Sequence, residues 1–205
     1  VTVDGTPVTV VETYEYDLTG NVTKAILPEN QATTYTYDKM GRLLTESFDG
    51  VTPKVLLKTN EYDAAGNLVK TIDAKGYETD FVYDSRGNIL QTTDAENNVF
   101  SFEFDTLGRK IRENTPYRLD NDTVDYSVVK TEYKDSTNEV IATAYAESAG
   151  EATAEVIQRQ TLDRQGRVVE LTDGRGNVTG YEYNGFGEVR KVTYPNTNEE
   201  VYKYD

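Results

Sequence analysis

An all-β array of tandem hairpins is the fold this chain predicts, and three observations carry that prediction. Eight motif copies place an aspartate, or its stand-in, three residues before a glycine or asparagine. An aromatic residue usually stands directly before the aspartate, as in Tyr16-Asp17-Leu18-Thr19-Gly20, Tyr37-Asp38-Lys39-Met40-Gly41 and Tyr83-Asp84-Ser85-Arg86-Gly87. The copies also keep step: Asp17 to Asp38, Asp63 to Asp84, Asp84 to Asp105, Asp163 to Asn184 and Asn184 to Asp205 are each 21 residues. A fixed period of this length marks a repeat architecture, whose single unit cannot bury its own apolar face and stacks on its neighbours.

Residues 77–98 illustrate one unit. Phe81 and Tyr83 lie two apart, so on a strand both rings project from one face, in phase with the good strand former Thr79. Asp84-Ser85-Arg86-Gly87 fits a type I turn. The aspartate accepts backbone N–H groups two residues on, and the glycine takes the left-handed conformation that joins turn to strand. Asn88 to Thr93 is the returning strand. Asp94-Ala95-Glu96-Asn97 is a second turn, with asparagine as the other residue that enters the left-handed region cheaply. That second turn recurs as Asp73-Ala74-Lys75-Gly76 and Asp173-Gly174-Arg175-Gly176. Two strands of about six residues and two four-residue turns account for the period.

Within the returning strands, paired apolar residues (Leu43-Leu44, Leu68-Val69, Ile89-Leu90, Val168-Val169) precede a polar one (Thr45, Lys70, Gln91, Glu170). The pairs break strict alternation, which implies either a bulge or a sheet partly covered on both faces. Asp38 to Asp63 is four residues longer than the period, with the excess near Gly50-Val51-Thr52-Pro53, where loops grow cheaply. Residues 1–205 are expected to form one array of about eight repeats, regular over 1–113 and 156–205. Between them the pattern degenerates: Tyr133-Lys134-Asp135 with Asn138 in the glycine slot is one weak unit, and 114–130 and 144–155 are expected to be enlarged loops. The second of these is rich in alanine and tolerant of helix.

Composition narrows function. The 16 tyrosines and their spacing mark a folded chain, although hydrophobic content is only 37%. A net charge of −15, with 21 scattered Lys and Arg, speaks against nucleic acid and anionic membranes as partners. The chain has no cysteine and no histidine. Thiol nucleophiles, zinc sites built on Cys or His, serine–histidine–aspartate triads and imidazole acid–base chemistry are therefore excluded. No cofactor is expected. Because the sequence opens on Val1 within a strand-like run and closes on a fresh motif, it is expected to be part of a longer protein.

The motif positions Tyr16, Asp17, Gly20, Tyr37, Asp38, Gly41, Tyr62, Asp63, Gly66, Tyr83, Asp84, Gly87, Phe104, Asp105, Gly108, Asp163, Gly166, Tyr183 and Gly187 resemble the RHS or YD repeat family. So do Gly41-Arg42-Leu43, Gly66-Asn67-Leu68, Gly87-Asn88-Ile89 and Gly176-Asn177-Val178-Thr179. The resemblance covers nearly the whole chain. It implies a hairpin sheet that curves and spirals, part of a β-solenoid or hollow shell, in secreted or cell-surface proteins of bacteria, and it implies a structural role without catalysis. The shell encloses a C-terminal toxin or serves as a surface scaffold, so the expected partner is the rest of the same polypeptide. The Asp-Pro-x-Gly element that ends such arrays in some members is missing here.

Two other readings stand beside this one. Exposed tyrosines can stack on sugars, which makes a carbohydrate- or protein-binding module the alternative function. Recurrence of the rings at one slot favours a scaffold role for them. Asp120, Asp122 and Asp125 are the densest acidic cluster and the candidate calcium ligands, although glycine punctuation and ligand spacing are lacking and a solvated acidic loop is the plainer reading. Among 36 acids, nothing singles out a catalytic pair.

Overall fold

The computed structural model describes residues 2–3, 6–7, 12–27 and 31–204; Asp205, taken above as a motif aspartate, lies outside the described residues. The chain divides into two units, residues 1–98 and 99–205. In the first unit a short ladder pairs β1 (Thr2–Val3) with β2 (Thr6–Pro7). An antiparallel meander then follows: β3 (Thr13–Tyr16), β4 (Val22–Leu27), β5 (Gln31–Tyr37), β6 (Leu43–Phe48), β7 (Val55–Tyr62), β8 (Leu68–Asp73), β9 (Glu78–Tyr83) and β10 (Ile89–Thr93). Each of these strands, from β3 to β10, pairs with its sequence neighbours within the unit. The four extra residues after Asp38 are absorbed by the bend at 49–54 and a longer β7.

The second unit repeats the plan with β11 (Val99–Phe104), β12 (Lys110–Arg118), β13 (Val124–Lys134), β14 (Glu139–Ala146), β15 (Glu155–Leu162), β16 (Val168–Asp173), β17 (Val178–Tyr183), β18 (Val189–Thr193) and β19 (Glu199–Val201). These strands too pair antiparallel in chain order. The expectation of an enlarged loop over 114–130 is corrected here. That stretch is the distal half of a long hairpin, running in register from Arg112↔Lys130 to Arg118↔Val124 around the turn 119–123. Its β-branched and aromatic residues are good strand formers, and Val128 is fully buried. The alanine-rich stretch 144–155 completes β14 and then forms two 3-10 turns, Glu147–Ala149 and Glu151–Thr153.

The paired apolar residues are resolved as bulges. Tyr37 pairs with Leu43 while Thr36 pairs with Thr45, leaving Leu44 as the extra residue. Val69, Leu90 and Val169 are extra in the same way, as are Thr23, Ile111 and Arg190. Each bulge sits directly after a motif turn, where the extra residue increases local twist.

The core is thin. Among the described residues only Ala32, Val128, Ile141 and Val192 are buried apolar side chains, and the motif rings are mostly half-buried. The accessible surface is 14126 Å². Two separate compact bodies of half this mass would expose about 11,600 Å² together, so the units are sheet-like rather than globular. Stability must then come largely from repeated local interactions and from contacts between neighbouring hairpins.

Asn60 is one of three polar residues buried beside that thin core, with Ser47 and Asp125. It is 6% exposed, donates through Nδ2 to the Leu43 carbonyl at 3.1 Å, and leaves its buried Oδ1 without a partner. The Leu43 carbonyl also accepts the Tyr62 hydroxyl at 2.9 Å. Asn60→Leu keeps the branched shape, removes the orphaned acceptor and leaves the Leu43 carbonyl satisfied by Tyr62. Chemical denaturation should show a gain of about 1 kcal/mol; a loss would mean that Oδ1 holds an ordered water.

Candidate functional site

The recurring unit of structure is the capped turn. Asp84 Oδ1 accepts the backbone N–H groups of Arg86 (2.8 Å) and Asn88 (2.9 Å), while the Gly87 N–H closes the turn on the Asp84 carbonyl at 3.2 Å. Gly87 has φ +86°, as the turn chemistry requires. The other carboxylate oxygen, Oδ2, accepts Asn88 Nδ2 at 2.8 Å. Asp17 with Asn21 and Asp63 with Asn67 repeat the clamp, and so does the second-turn pair Asp94 with Asn98. In three copies arginine replaces the clamp asparagine: Arg42, Arg109 and Arg167 donate Nε to Asp38, Asp105 and Asp163 at 2.6–2.7 Å.

These bonds hold the carboxylates below their ordinary range. At Asp63, Asp84, Asp94 and Asp173 the first cause is the asparagine side chain four residues on; at Asp38, Asp105 and Asp163 it is the arginine backbone N–H. Asp17, held by the Asn21 and Thr19 side chains, is among the most depressed.

In several repeats the tyrosine before the motif turn ties one repeat to the one before it. Tyr37 donates its hydroxyl to the Val22 carbonyl (2.8 Å), Tyr83 to Leu68 (2.8 Å) and Tyr183 to Val168 (2.7 Å). Every acceptor is the first residue of the preceding returning strand, next to the bulge residue. Phe104 fills the slot without a hydroxyl, and Tyr16 is 61% exposed on β3. The arginine clamps add a second tie. Arg42 stacks over the Tyr62 ring at 4.6 Å, Arg109 over Tyr133 at 4.2 Å, and Arg167 over Tyr183 at 4.5 Å. Burial pushes the Tyr83 hydroxyl pKa up. Tyr83→Phe should therefore cost about 0.5–1.5 kcal/mol, measurable by denaturant titration; an unchanged midpoint would remove the latch from the account.

In four hairpins the residue before the motif ring is an acid that stands opposite a basic residue across the strand pair: Glu15 opposite Lys24, Glu61 opposite Lys70, Glu103 opposite Arg112 and Glu182 opposite Lys191. Where that residue is Thr36, its partner is Thr45 and the hydroxyls are 2.6 Å apart. Neither this pairing nor the clamp and latch partners were identified in the sequence. The signal for the pairing was a charge complementarity at fixed spacing across four of the turns.

The remaining candidate residues fall in different places. Gly20, Gly41, Gly66, Gly108, Gly166 and Gly187 all take positive φ at their turns. Asp135 does not cap its turn, which closes from Thr137 N–H to the Lys134 carbonyl; its carboxylate instead takes both terminal nitrogens of Arg109 at 2.7 and 3.3 Å. Among the described residues no group of three or more acids that could hold a metal ion occurs, and Asp122 and Asp125 of the acidic cluster take separate partners. Asp122 pairs with Arg118 at 3.2 Å. Asp125 is buried and accepts the hydroxyls of Ser148 (2.6 Å) and Tyr117 (2.7 Å), pinning the first 3-10 turn to the long hairpin. Those two hydroxyls, Ser148 first, lower its pKa to about 2.

Open grooves of about 610 Å³ lie between successive hairpins, one lined by Asp63, Asn67, Val69, Tyr83 and Arg86, another by Arg109, Lys130, Tyr133, Ile141 and Glu151. Their charges are engaged: Asp63 caps a turn, Arg109 bridges Asp105 and Asp135, and Lys130 meets Glu151 at 2.7 Å. The geometry thus defines a tandem-repeat structural sheet, in which the recurrent residues make the scaffold.

Comparison with known proteins places that sheet: the chain belongs to the teneurin YD-shell family, whose model matches residues 8–120, and an RHS Repeat model matches residues 163–199. No curated protein matches the chain. Among solved structures, the Photorhabdus luminescens Tc holotoxin pore aligns at 15% identity and a TM-score of 0.43, over 89% of this chain and 13% of that one. The TcdB2-TccC3-Cdc42 complex aligns at 12% identity and 0.34, over 95% of this chain and 14% of that one. A porin-like protein from Bacteroides uniformis aligns at 14% identity and 0.39, over 89% and 85%. This chain therefore spans about one eighth of the toxin-complex chains it aligns with.

Proposed function

We propose that this array is a stretch of wall in a shell built by a longer secreted or cell-surface polypeptide, which encloses a C-terminal cargo domain such as a toxin. The carrying observation is the tyrosine latch, which at Tyr37, Tyr62, Tyr83 and Tyr183 ties a hairpin to its predecessor. A fold so built gains stability with each added hairpin and contributes no chemistry of its own, which supports a non-catalytic role. Membership in the YD-shell family agrees with a structural wall. The binding-module alternative has less to work with, because the hydroxyls of Tyr37, Tyr62, Tyr83 and Tyr183 are already donated to backbone carbonyls.

The test is limited proteolysis of the full-length protein that carries the array, with electron microscopy of the same sample. A hollow particle whose C-terminal segment resists protease until the wall is opened supports the proposal. An open, extended particle with a freely cleaved C-terminus overturns it in favour of a surface scaffold. Saturable glycan binding by the folded array would overturn it in favour of a recognition module.

A further inference from the structure

The turn at 184–188 is built with its donor and acceptor exchanged. In the aspartate turns a carboxylate accepts from an asparagine or arginine four residues on. Here Asn184 Nδ2 donates to Glu188 Oε2 at 2.7 Å. Asn184 Oδ1 still occupies the capping position, accepting the backbone N–H groups of Phe186 and Glu188, each at 3.0 Å. The residue that follows is glycine, and Asn184-Gly185 is the only Asn-Gly pair in the chain. The corresponding position in the aspartate turns holds Leu18, Lys39, Ala64, Ser85, Thr106 or Arg164. The fold makes no demand for glycine at 185: a Cβ there would meet nothing within 4 Å, and no positive φ is required. Gly174, in a second turn, contrasts with it, since a Cβ there would come within 3.2 Å of the Val156 carbonyl oxygen.

We propose that Asn184 is a self-modification site, at which the folded chain converts its side-chain amide to a carboxylate through a cyclic imide. The Gly185 backbone nitrogen attacks Asn184 Cγ, unhindered by any side chain on Gly185. Negative charge then develops on Oδ1, which already lies between two backbone N–H groups placed to stabilise it. The Cγ–Nδ2 bond breaks, the proton from the Gly185 nitrogen goes to the leaving nitrogen, and ammonia departs. Water opens the imide at either carbonyl, giving aspartate or its backbone-extended isomer, so water is the one co-reactant consumed.

Either product changes the turn. Aspartate at 184 sets a second carboxylate against Glu188, where one donor and one acceptor had met, and like charges so close disfavour joint ionisation. The isomer adds a backbone atom to a turn whose hydrogen bonds depend on its length. The site thus couples chemical age to the stability of the β17–β18 hairpin, and no other motif turn carries the same pair.

The chain is incubated folded at mildly alkaline pH, then cleaved and analysed by peptide mass spectrometry for the mass change of amide-to-acid conversion. Asn184 should convert ahead of every other asparagine, and Gly185→Leu, which copies the turn at Leu18, should abolish that lead. An Asn184 that stays intact in the folded chain while the denatured chain converts it would overturn the proposal. A second arm tests the consequence. Asn184→Asp alone should lower the thermal midpoint, and Asn184→Asp with Glu188→Asn, which recreates the aspartate–asparagine clamp, should restore it. A single variant as stable as the parent would overturn the claimed effect on the hairpin.

Discussion

Gly87→Val should destabilise the first unit by at least about 1–2 kcal/mol, the cost of forcing an L side chain into the left-handed region, with branching at Cβ adding to it. Gly87 sits at φ +86° at the end of the Asp84 turn, and its N–H closes the loop on the Asp84 carbonyl. Space is no obstacle, because the nearest atom to an added Cβ is Asn67 Oδ1 at 3.9 Å. The penalty is therefore conformational and can be separated from packing with one control. Asn97 and Asn138 already hold positive φ, 63° and 56°, at comparable turns, so Gly87→Asn should cost much less than Gly87→Val. Equal denaturant midpoints for the two variants would sink the turn account and leave a packing effect in its place.

Acid should unfold the array, and the sign follows from the turn carboxylates. Asp17, Asp38, Asp63, Asp84, Asp94, Asp105, Asp163 and Asp173 all have folded pKa values below their unfolded ones, held down by asparagine, arginine and backbone donors. A depressed carboxylate contributes stability that is fully present above the unfolded pKa of about 3.9 and is lost as pH falls toward the folded value. Asp125, at about 2, adds the same dependence in the second unit. Because these groups recur along the array, their losses fall in one window below about pH 4. Neutralising acids in a chain of charge −15 relieves repulsion and acts in the opposite direction, which makes the experiment decisive. A denaturant midpoint, followed by tyrosine circular dichroism, should fall steeply below about pH 4. A midpoint that rises or stays level would mean that charge relief outweighs the capping bonds.

Much of the fold was legible because its determinants are local. Asp84 followed by Gly87 specifies a turn whatever surrounds it, since the carboxylate reaches its own backbone and the glycine meets a dihedral requirement. Repetition then multiplies a weak signal. The stretch 114–130 of the long hairpin was misread for the complementary reason: it lacks the turn motif, and its order comes from β12, β13 and β14 packing around Val128. Asp135 shows the limit of motif matching. Its spacing to Asn138 mimics a capped turn, yet the nearby guanidinium of Arg109 is the partner it takes.

The sequence by itself determined the hairpin period, the turn chemistry at Asp17, Asp38, Asp63, Asp84, Asp105 and Asp163, and the placement of paired rings such as Phe81 and Tyr83 on one face of a strand. All three depend on residues within a few positions of one another. Tertiary structure alone decided which carbonyl each tyrosine hydroxyl finds, that Leu44, Val69 and Leu90 are bulge residues, and that Asp125 is buried against Ser148 while Asp120 and Asp122 are not. Those outcomes depend on which groups from distant parts of the chain meet once the strands are in register. A bulge of one residue changes that register, and a periodic pattern does not encode where its extra residue goes.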